Sequence, residues 1–501
     1  MKKIETARNI QTKYPAYGLC LTFVIFMILF LFLLPPIAMS QKAEETVGTE
    51  NLTTFLPVLQ NNFDATLGLP IFGLQMYGNT SDASQYHDAL LGSNATWLRV
   101  EFSWASAEPT QQSPPVYQWS SIDNNLSAAL PEMGGLNIVG TVNRAPSWAA
   151  TYDTGPVNPD KLGRFAQFMG ALVERYDGDG INDAPGSPVV LYWEIYNEPD
   201  SNSNINDPAF LPPVGWGNHG EEYAQMLKTI YPAVKAANPV AQVVFGGIAY
   251  DGFESAGGKF VESFLTDVLK AGGGAYFDVM CFHSYPAFYR RWTTNEGPAL
   301  YEKAAAIRSV LASYGMEKPL IVTEAGWHDN NAIGPIIPGS PQIQSRYVVQ
   351  LLTQSMAADL DIMIWWMLYD VGGGYPYNTG LVTNADPPAE KLSFDVYNRV
   401  VEELSTAHYV KSFSTSQTGN SLMEVHQFND NTYEQTIYVA WLNRVDTTAT
   451  SPLRLPASVA RVTDSITGSM SLIGDGNSDG VIDGHVTVTV GANPLFIEVD
   501  K

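Results

Sequence analysis

Two glutamates stand at the ends of two apolar, strand-like stretches. Val189–Asn197 is rich in branched and aromatic residues and runs into Glu198-Pro199, and Leu320–Glu324 has the same design. Because the C-terminal ends of parallel strands meet at one face of a barrel, we expect the two carboxylates to share one cleft. Paired carboxylates are what cleavage of a glycosidic bond requires. Either glutamate alone is better explained as a loop residue that caps the next helix, so the chemical interpretation depends on the pair.

An arginine inside another apolar strand is a third candidate. Arg99 lies within Thr96–Phe102, and a guanidinium is costly to bury without a partner. A structural ion pair, with Glu101 or with a neighbouring strand, explains it as well as a catalytic role does.

Two further strand ends carry residues that suit a sugar site. His283 and Tyr285 are two residues apart, so their side chains point to the same side of a strand. Trp365 and Trp366 lie near the end of the last strand-like segment. The alternative for each of these residues is an ordinary place in the core.

Strand-like and helix-like segments alternate from residue 68 to 405, which is typical of βα units around a parallel sheet. The pattern predicts an α/β fold, a (β/α)₈ TIM barrel, in preference to an open doubly wound sheet. No Gly-x-Gly-x-x-Gly motif follows the first strand, which disfavours a dinucleotide fold. The predicted strands are Leu69–Tyr77, Thr96–Phe102, Leu136–Asn143, Val189–Asn197, Gln242–Ile248, Phe277–Tyr285, Leu320–Glu324 and Ile362–Leu368. The predicted helices include Leu162–Tyr176, capped by Asn158, and Tyr223–Val234, Phe260–Leu269, Leu300–Tyr314, Ile343–Met356 and Phe394–Leu404.

The pattern changes after residue 405, where helical periodicity stops. Short alternating segments with turn residues between them predict an all-β sandwich domain over 406–501. Its predicted strands are Tyr409–Ser414, Leu422–Gln427, Thr436–Asn443, Ser458–Ser465, His485–Val490 and Pro494–Val499.

The N-terminus resembles a targeting segment. Lysines and an arginine precede the apolar run Gly18–Leu34, and a small-residue cleavage candidate follows at Ala38–Ser40. Residues 1–40 are therefore predicted to be a signal peptide or an N-terminal signal anchor, and 41–67 a linker. Both alternatives put the rest of the chain outside the cytoplasm, either secreted or held at the cell surface.

Composition limits the partners. The 501 residues carry a formal net charge of −24, which disfavours nucleic acid and anionic membrane surfaces, so a membrane contact is expected only through an uncleaved N-terminal segment. Aromatic residues make up 12% of the chain and offer ring surfaces for a carbohydrate. Two cysteines cannot supply a disulfide framework. No cysteine–histidine spacing suggests zinc, and we expect no cofactor.

Taken together, the motifs resemble the retaining (β/α)₈ glycoside hydrolases of clan A, close to families 5 and 39. The resemblance covers about 68–405 and implies that Glu198 is the acid/base and Glu324 the nucleophile. It also implies that Arg99 braces the nucleophile. One departure is Asn143-Arg144, with Trp148 beyond, where family 5 often has a histidine. The residues that the resemblance assigns to substrate binding or support are Arg99, Asn143, Trp148, Asn197, His283, Tyr285 and Trp366 (or Trp365).

The function that follows is an exported retaining glycosidase, which cleaves β-linked plant- or microbial-type oligo- or polysaccharides by double displacement. Its two carboxyl groups are expected to lie roughly 5–5.5 Å apart, and Arg99 within hydrogen-bond distance of Glu324. The alternative is a non-catalytic carbohydrate-binding protein that keeps the barrel cleft.

Two acidic loops resemble calcium sites without matching one fully. In the second loop the twelfth position is Val486, where an EF-hand has a bidentate glutamate, and no helices flank it. A Gly/Asp turn explains each loop as well. The candidate ligands are Asp177, Asp179 and Asp183 in the first loop and Asp475, Asn477, Asp479 and Asp483 in the second.

Overall fold

The described part of the chain begins after the predicted linker. The computed structural model describes residues 71–77, 84–123, 126, 135–202, 215–286, 291–292, 297–330, 339–372, 378–444, 447–477 and 479–500. The predicted targeting segment and linker, 1–40 and 41–67, lie outside these residues. None of the helices within the described ranges is both long and apolar enough to cross a membrane.

Eight parallel strands form the first sheet, in the spatial order β5-β4-β3-β2-β1-β8-β7-β6. Parallel bridges from Val244 to Val279 and from Ile248 to Phe282 bring its two end strands together. The predicted (β/α)₈ barrel is therefore confirmed, and all eight predicted strands are present with altered ends. They are β1 Ile71–Gln75, β2 Trp97–Ser103, β3 Asn137–Asn143, β4 Tyr192–Asn197, β5 Gln242–Gly247, β6 Met280–Ser284, β7 Leu320–Ala325 and β8 Ile362–Trp365.

The helices surround the barrel with apolar faces turned inward. In α4, for example, Phe165, Phe168 and Leu172 are buried at helical spacing. The predicted N-cap position is confirmed: Asn158 precedes Pro159 at the start of a 3₁₀ turn, Pro159–Lys161, that leads directly into α4 at Leu162. Within the described residues, the Asn158 side chain makes no cap hydrogen bond. The helices are α1 His87–Leu91, α2 Trp104–Ala107, α3 Ser120–Asp123, α4 Leu162–Arg175, α5 Gly220–Ala237, α6 Phe264–Lys270, α7 Leu300–Ser313, α8 Pro341–Ala357, α9 Leu392–Leu404 and, after the barrel, α10 Thr415–Thr418.

The barrel interior changes from apolar to polar along the strands. A buried apolar cluster fills its lower part and includes Trp97, Val139, Cys281 and Ile321. Side chains two residues further along each strand point to the same side. At that level, the strands carry polar residues instead, namely Arg99, Thr141, Glu194, His283 and Thr323. The apolar layer thus closes the bottom of a cleft at the C-terminal end of the strands.

The C-terminal region consists of antiparallel strands, which confirms an all-β domain. A six-stranded sheet has the order β14-β13-β16-β11-β10-β9, and β12 pairs with β15. Two strands were not predicted: β12, which contains Pro452 and Pro456, and the exposed β14. The domain boundary at 405/406 stays a prediction. The strands are β9 Ala407–Ser412, β10 Met423–Asp430, β11 Gln435–Leu442, β12 Ser451–Pro456, β13 Val459–Asp464, β14 Met470–Gly474, β15 His485–Val490 and β16 Leu495–Asp500.

Strand β11 shows how the six-stranded sheet is buried on both faces. Ile437, Val439 and Trp441 belong to the same buried cluster as the barrel helices. The alternate residues Tyr438 and Ala440 belong to a second cluster shared with β12 and β15. One face of the sheet therefore packs on the barrel and the other on the two-stranded sheet, as strand periodicity requires.

Candidate active site

Arg99 lies at the centre of the polar layer and is fully buried. Its Nε donates to Glu194 Oε2 at 2.7 Å, its Nη1 to Glu324 Oε1 at 2.5 Å, and its Nη2 to Asn197 Oδ1 at 2.7 Å. A further bond runs from Nη1 to Gln75 Oε1 at 2.7 Å. The predicted contact between Arg99 and Glu324 is thus present. The guanidinium fixes four side chains in one geometry.

Glu194 is the partner of Arg99 that the sequence analysis did not name. Its carboxylate accepts hydrogen bonds from Thr141 Oγ1 at 2.6 Å, Thr323 Oγ1 at 2.9 Å and the Gly247 amide at 2.9 Å. Burial raises the pKa of Glu194, but Arg99 and then His283 lower it more, so the net shift is downward. The signal that could have revealed it is an acid within an apolar strand, the same signal that identified Arg99.

Glu198 and Glu324 face each other across His283. One carboxylate oxygen of each glutamate and a ring nitrogen of His283 all lie within 4.8 Å of one another. His283 Nδ1 is 3.2 Å from Glu198 Oε1 and 3.6 Å from Glu324 Oε2. Glu198 has a φ of +44°, in the left-handed region that non-glycine residues rarely adopt. A backbone so constrained is found where a side chain must be aimed.

The neighbours of His283 indicate how its protons are arranged. Its Nε2 lies 3.2 Å from Thr323 Oγ1, and that hydroxyl already donates to Glu194. The hydroxyl oxygen therefore accepts from His283, so Nε2 carries a hydrogen. Nδ1 is then free either to donate to Glu198 as part of an imidazolium or to accept from a protonated Glu198. One proton can move along this bond.

The charges around the bond favour the imidazolium form when both glutamates are ionised. Burial lowers the pKa of His283, but Glu324 and Glu198 raise it more, and the net shift is upward. Burial raises the pKa of Glu198, but the hydrogen bond and charge of His283 lower it more, with smaller contributions from Lys259 and Lys303. The pair therefore holds its proton mainly on His283 in this state.

Close packing around this layer requires a glycine at the end of β5. A Cβ on Gly247 would lie 2.2 Å from His283 Nε2 and 2.7 Å from Glu194 Oε1. Both distances are far shorter than a van der Waals contact, so any side chain here would displace the histidine or the glutamate. Gly247 is thus a second residue that the sequence analysis missed.

Tyr285 and Trp366 line the side of the cleft next to Glu324. The Tyr285 hydroxyl donates to Glu324 Oε2 at 2.8 Å. Trp366 packs edge-on against Tyr285, and its Nε1 donates to the Tyr77 hydroxyl at 3.0 Å. Trp365 points away from the cleft, since it is fully buried and donates to the Thr379 carbonyl. Of the two candidate tryptophans, Trp366 is the one in contact with the other site residues.

The residues after β3 divide between the cleft and its rim. Asn143 is buried, and its side chain lowers the pKa of the Glu101 carboxyl. Trp148 packs on Trp104 at 5.3 Å and donates to the Glu108 carbonyl at 3.0 Å. These contacts hold Trp148 to α2 and to the residue that follows it, and none of them joins Trp148 to the glutamate pair.

The two acidic loops differ in how their carboxylates are arranged. Carboxylate oxygens of Asp177, Asp179 and Asp183 lie within 4.8 Å of one another. In the second loop, Asp475 accepts from the amides of Asp483 and Gly484. The other carboxylates there are also engaged, Asp479 by Thr487 and Asp483 by Arg454, while Asn477 sits in the Gly474–Asn477 turn. Among the described residues, only the first loop gathers three carboxylates, and calcium binding stays a prediction for both.

Comparison with known proteins supports the fold. No protein-family model matches the chain, and no curated protein matches it. Solved structures do. A family 39 glycoside hydrolase from Bacteroides cellulosilyticus WH2 superposes with a TM-score of 0.62 at 18% identity, over 87% of this chain and 82% of the other.

Two other similar structures extend this result. The catalytic domain of the GH30 xylanase C from Talaromyces cellulolyticus gives a TM-score of 0.56 at 16% identity, over 86% and 97% of the two chains. AbfB, a family 51 α-L-arabinofuranosidase from Bifidobacterium longum, gives a TM-score of 0.53 at 13% identity, over 86% of this chain and 96% of the other. The expected resemblance to the clan A barrel is therefore confirmed at the level of the fold.

Proposed function

We propose that the protein is a retaining glycosidase that acts on β-linked sugars. The observation that carries the proposal is the separation of Glu198 and Glu324, whose nearest carboxylate oxygens lie within 4.8 Å. Retaining enzymes have carboxyl groups ~5–5.5 Å apart, whereas inverting enzymes leave ~6.5–9.5 Å for a water molecule. The short separation supports double displacement. The similarity to glycoside hydrolases of families 39, 30 and 51 supports the reaction class.

In the first half of the reaction, Glu324 attacks the anomeric carbon and Glu198 protonates the leaving oxygen. The hydrogen bonds from Arg99 and Tyr285 hold Glu324 in position for attack. As Glu324 forms the glycosyl ester it loses its charge, and the imidazolium of His283 loses one of the two carboxylates that stabilise it. The proton of His283 then passes to Glu198 and on to the leaving group.

In the second half, water attacks the glycosyl ester and Glu198 accepts its proton. Asn197 supports both halves. Because Arg99 holds Asn197 Oδ1 at 2.7 Å, the amide Nδ2 is left to donate to the sugar 2-hydroxyl. Such a bond strengthens as charge develops on the sugar ring. The proposed mechanism needs no cofactor, because each step uses a side chain of the chain itself.

Hydrolysis of aryl glycosides tests the proposal. A panel of p-nitrophenyl β-glycosides, with the α-L-arabinofuranoside included because of the family 51 similarity, identifies the sugar. NMR of the first-formed product gives the anomeric configuration, and a 2-deoxy-2-fluoro glycoside labels the nucleophile for mass spectrometry. We expect retention and a label on Glu324. Sugar binding without turnover of any substrate favours the alternative, a non-catalytic binding protein.

The cellular setting is part of the proposal as well. We infer export, secreted or anchored by the N-terminal segment, from the charged and apolar pattern of residues 1–40. An oligo- or polysaccharide outside the cell is then the natural substrate. Fractionation of cells that express the full chain tests export, since a cytoplasmic product contradicts it.

A further inference from the structure

A carboxylate that the double displacement does not use lies at the mouth of the cleft. Glu101 follows Arg99 by two residues on β2, so both side chains point into the barrel. Arg99 is fully buried, whereas Glu101, nearer the C-terminal end of the strand, is partly exposed. Glu101 therefore borders the level at which a substrate enters.

Two of the electrostatic neighbours of Glu101, Arg99 and Glu324, are residues of the cleft. Burial raises the pKa of Glu101, the charges of Arg99 and Arg144 lower it, and the charge of Glu324 raises it again. Burial likewise raises the pKa of Tyr77, and the charges of Glu324 and Glu101 add to that shift. Glu101 and Glu324 thus act on a common neighbour, and Tyr77 in turn bonds to Trp366 at 3.0 Å.

Asn143 supplies a second acceptor next to Glu101. In the parallel register of β2 and β3, Glu101 lies opposite Thr141, and Asn143 lies two residues further along. The Asn143 side chain lowers the pKa of the Glu101 carboxyl, as a nearby amide donor does, so its Nδ2 faces Glu101 and its Oδ1 is left as the acceptor. That Oδ1 is buried and has no hydrogen-bond partner among the described residues, and Asn143 as a whole is only 8% exposed.

A buried acceptor without a donor is costly unless a ligand satisfies it. We propose that Glu101 and Asn143 together bind a ring hydroxyl of the sugar that Glu324 attacks, and so select the sugar by its hydroxyl pattern. Both groups present acceptor oxygens, and a sugar hydroxyl is the neutral donor that fits them. The inference rests on the proposed function and deepens it, because it names the residues that choose among β-linked sugars.

Monodeoxy substrates test this assignment. The best p-nitrophenyl β-glycoside of the wild type is compared with its 2-, 3- and 4-deoxy forms, and its 6-deoxy form if it is a hexoside. Removing a hydroxyl bound by a charged acceptor lowers kcat/KM on the order of 10- to 100-fold. We expect one position other than C2 to show this penalty in the wild type, and we expect the penalty to disappear in Glu101→Ala and to shrink in Asn143→Ala.

Three features keep the test decisive. The 2-deoxy penalty should persist in both variants, because Asn197 binds that hydroxyl. Glu262→Ala removes an exposed carboxylate paired with Arg291 and should leave all penalties unchanged. Glu101→Gln preserves the side-chain shape if the alanine variant folds poorly. Turnover with the same penalties in every variant overturns this inference alone, whereas absence of turnover by the wild type on every glycoside overturns the proposed function and this inference with it.

Discussion

Two histidine–carboxylate pairs in this molecule have nearly the same geometry but different surroundings. In the cleft, His283 Nδ1 lies 3.2 Å from Glu198 Oε1, and beneath the C-terminal sheet, His426 Nε2 lies 3.3 Å from Glu424 Oε2. Both histidines are buried. For each glutamate, burial raises the pKa, the partner histidine and other neighbours together lower it, and the net shift is downward. The pairs differ in what else they touch.

Glu424 has a partner for each oxygen besides its histidine. Gln354 of α8 donates to Oε2 at 2.9 Å, and Asn443 donates to Oε1 at 2.5 Å. The second ring nitrogen of His426 lies 2.9 Å from Ser412 Oγ. The hydrogen-bonding capacity of Glu424 and of His426 is therefore used by other groups of the protein. These bonds hold β10 against the barrel, and they leave no carboxylate oxygen of Glu424 for a reacting group.

Glu198 keeps hydrogen-bonding capacity for a ligand, whereas both oxygens of Glu424 already have partners within the protein. His283 is the hydrogen-bond partner of its carboxylate within the described residues, and the side chain is 11% exposed toward the cleft. The second carboxylate, Glu324, lies on the other side of the same imidazole. The same two residue types are therefore structural where every atom is paired, and suited to proton transfer where one oxygen still faces a substrate.

The largest expected effect is that of removing the Glu324 carboxylate. Glu324→Ala removes the proposed nucleophile and should lower turnover of every substrate by several orders of magnitude. Added azide should then attack from the vacated face and give an α-glycosyl azide, detectable by NMR. Turnover close to the wild-type rate would remove Glu324 from the mechanism.

The second effect depends on the leaving group. Glu198→Ala should slow hydrolysis of natural glycosides ~10²–10⁴-fold, while a dinitrophenyl glycoside, whose leaving group needs no protonation, should still form the glycosyl-enzyme. That intermediate should accumulate in rapid-quench mass spectra, because deglycosylation lacks its base. Azide should restore turnover and give the β-glycosyl azide. If azide gives the α-product here and the β-product with Glu324→Ala, the two roles are reversed.

The third effect distinguishes the histidines. The Glu198–His283 pair keeps its last proton to a higher pH than Glu198 alone can, because either group can hold it. His283→Gln should therefore move the alkaline limb of kcat/KM to lower pH. His426→Gln is the matched control, and its profile should superimpose on that of the wild type. A shift in the His426 variant, or none in the His283 variant, would contradict the contrast between the two pairs.

The sequence predicted the cleft better than the contacts within it. Glu198 and Glu324 were found because an apolar strand that ends in a carboxylate is a local signal, and parallel strands end at one face. Arg99 was found by the cost of burying its charge, but its partner Glu194 was not, since that bond joins residues 95 positions apart. The two residues lie on β2 and β4, and it is the order and register of β2, β3 and β4 in the sheet that bring them together.

The same limit applies to the C-terminal domain. His485–Val490 was predicted with its exact ends because branched residues alternate there without interruption. β12 was missed because its two prolines suggest a loop, yet it pairs with β15 alone, and prolines are tolerated on such an edge strand. The structural role of Glu424 was also not predictable, because Gln354 reaches it from a helix 70 positions away.

The smallest effect tests the structural pair by itself. Glu424→Gln replaces one carboxylate oxygen with an NH₂ group, which donates hydrogen bonds and cannot accept them. The new NH₂ group then faces the amide hydrogens of Gln354 or Asn443, and one of these donors loses its acceptor. Such a loss costs about 1–3 kcal/mol in the free energy of unfolding, whereas kcat and KM of the folded enzyme should not change. Glu434→Gln, an exposed site in the turn between β10 and β11, is the matched control and should leave stability within about 0.5 kcal/mol of the wild type. Urea unfolding and steady-state kinetics on the same preparations give both numbers. A Glu424→Gln protein with wild-type stability would show that its hydrogen bonds do not hold the sheet, and one with altered kcat would show that the two pairs are not independent.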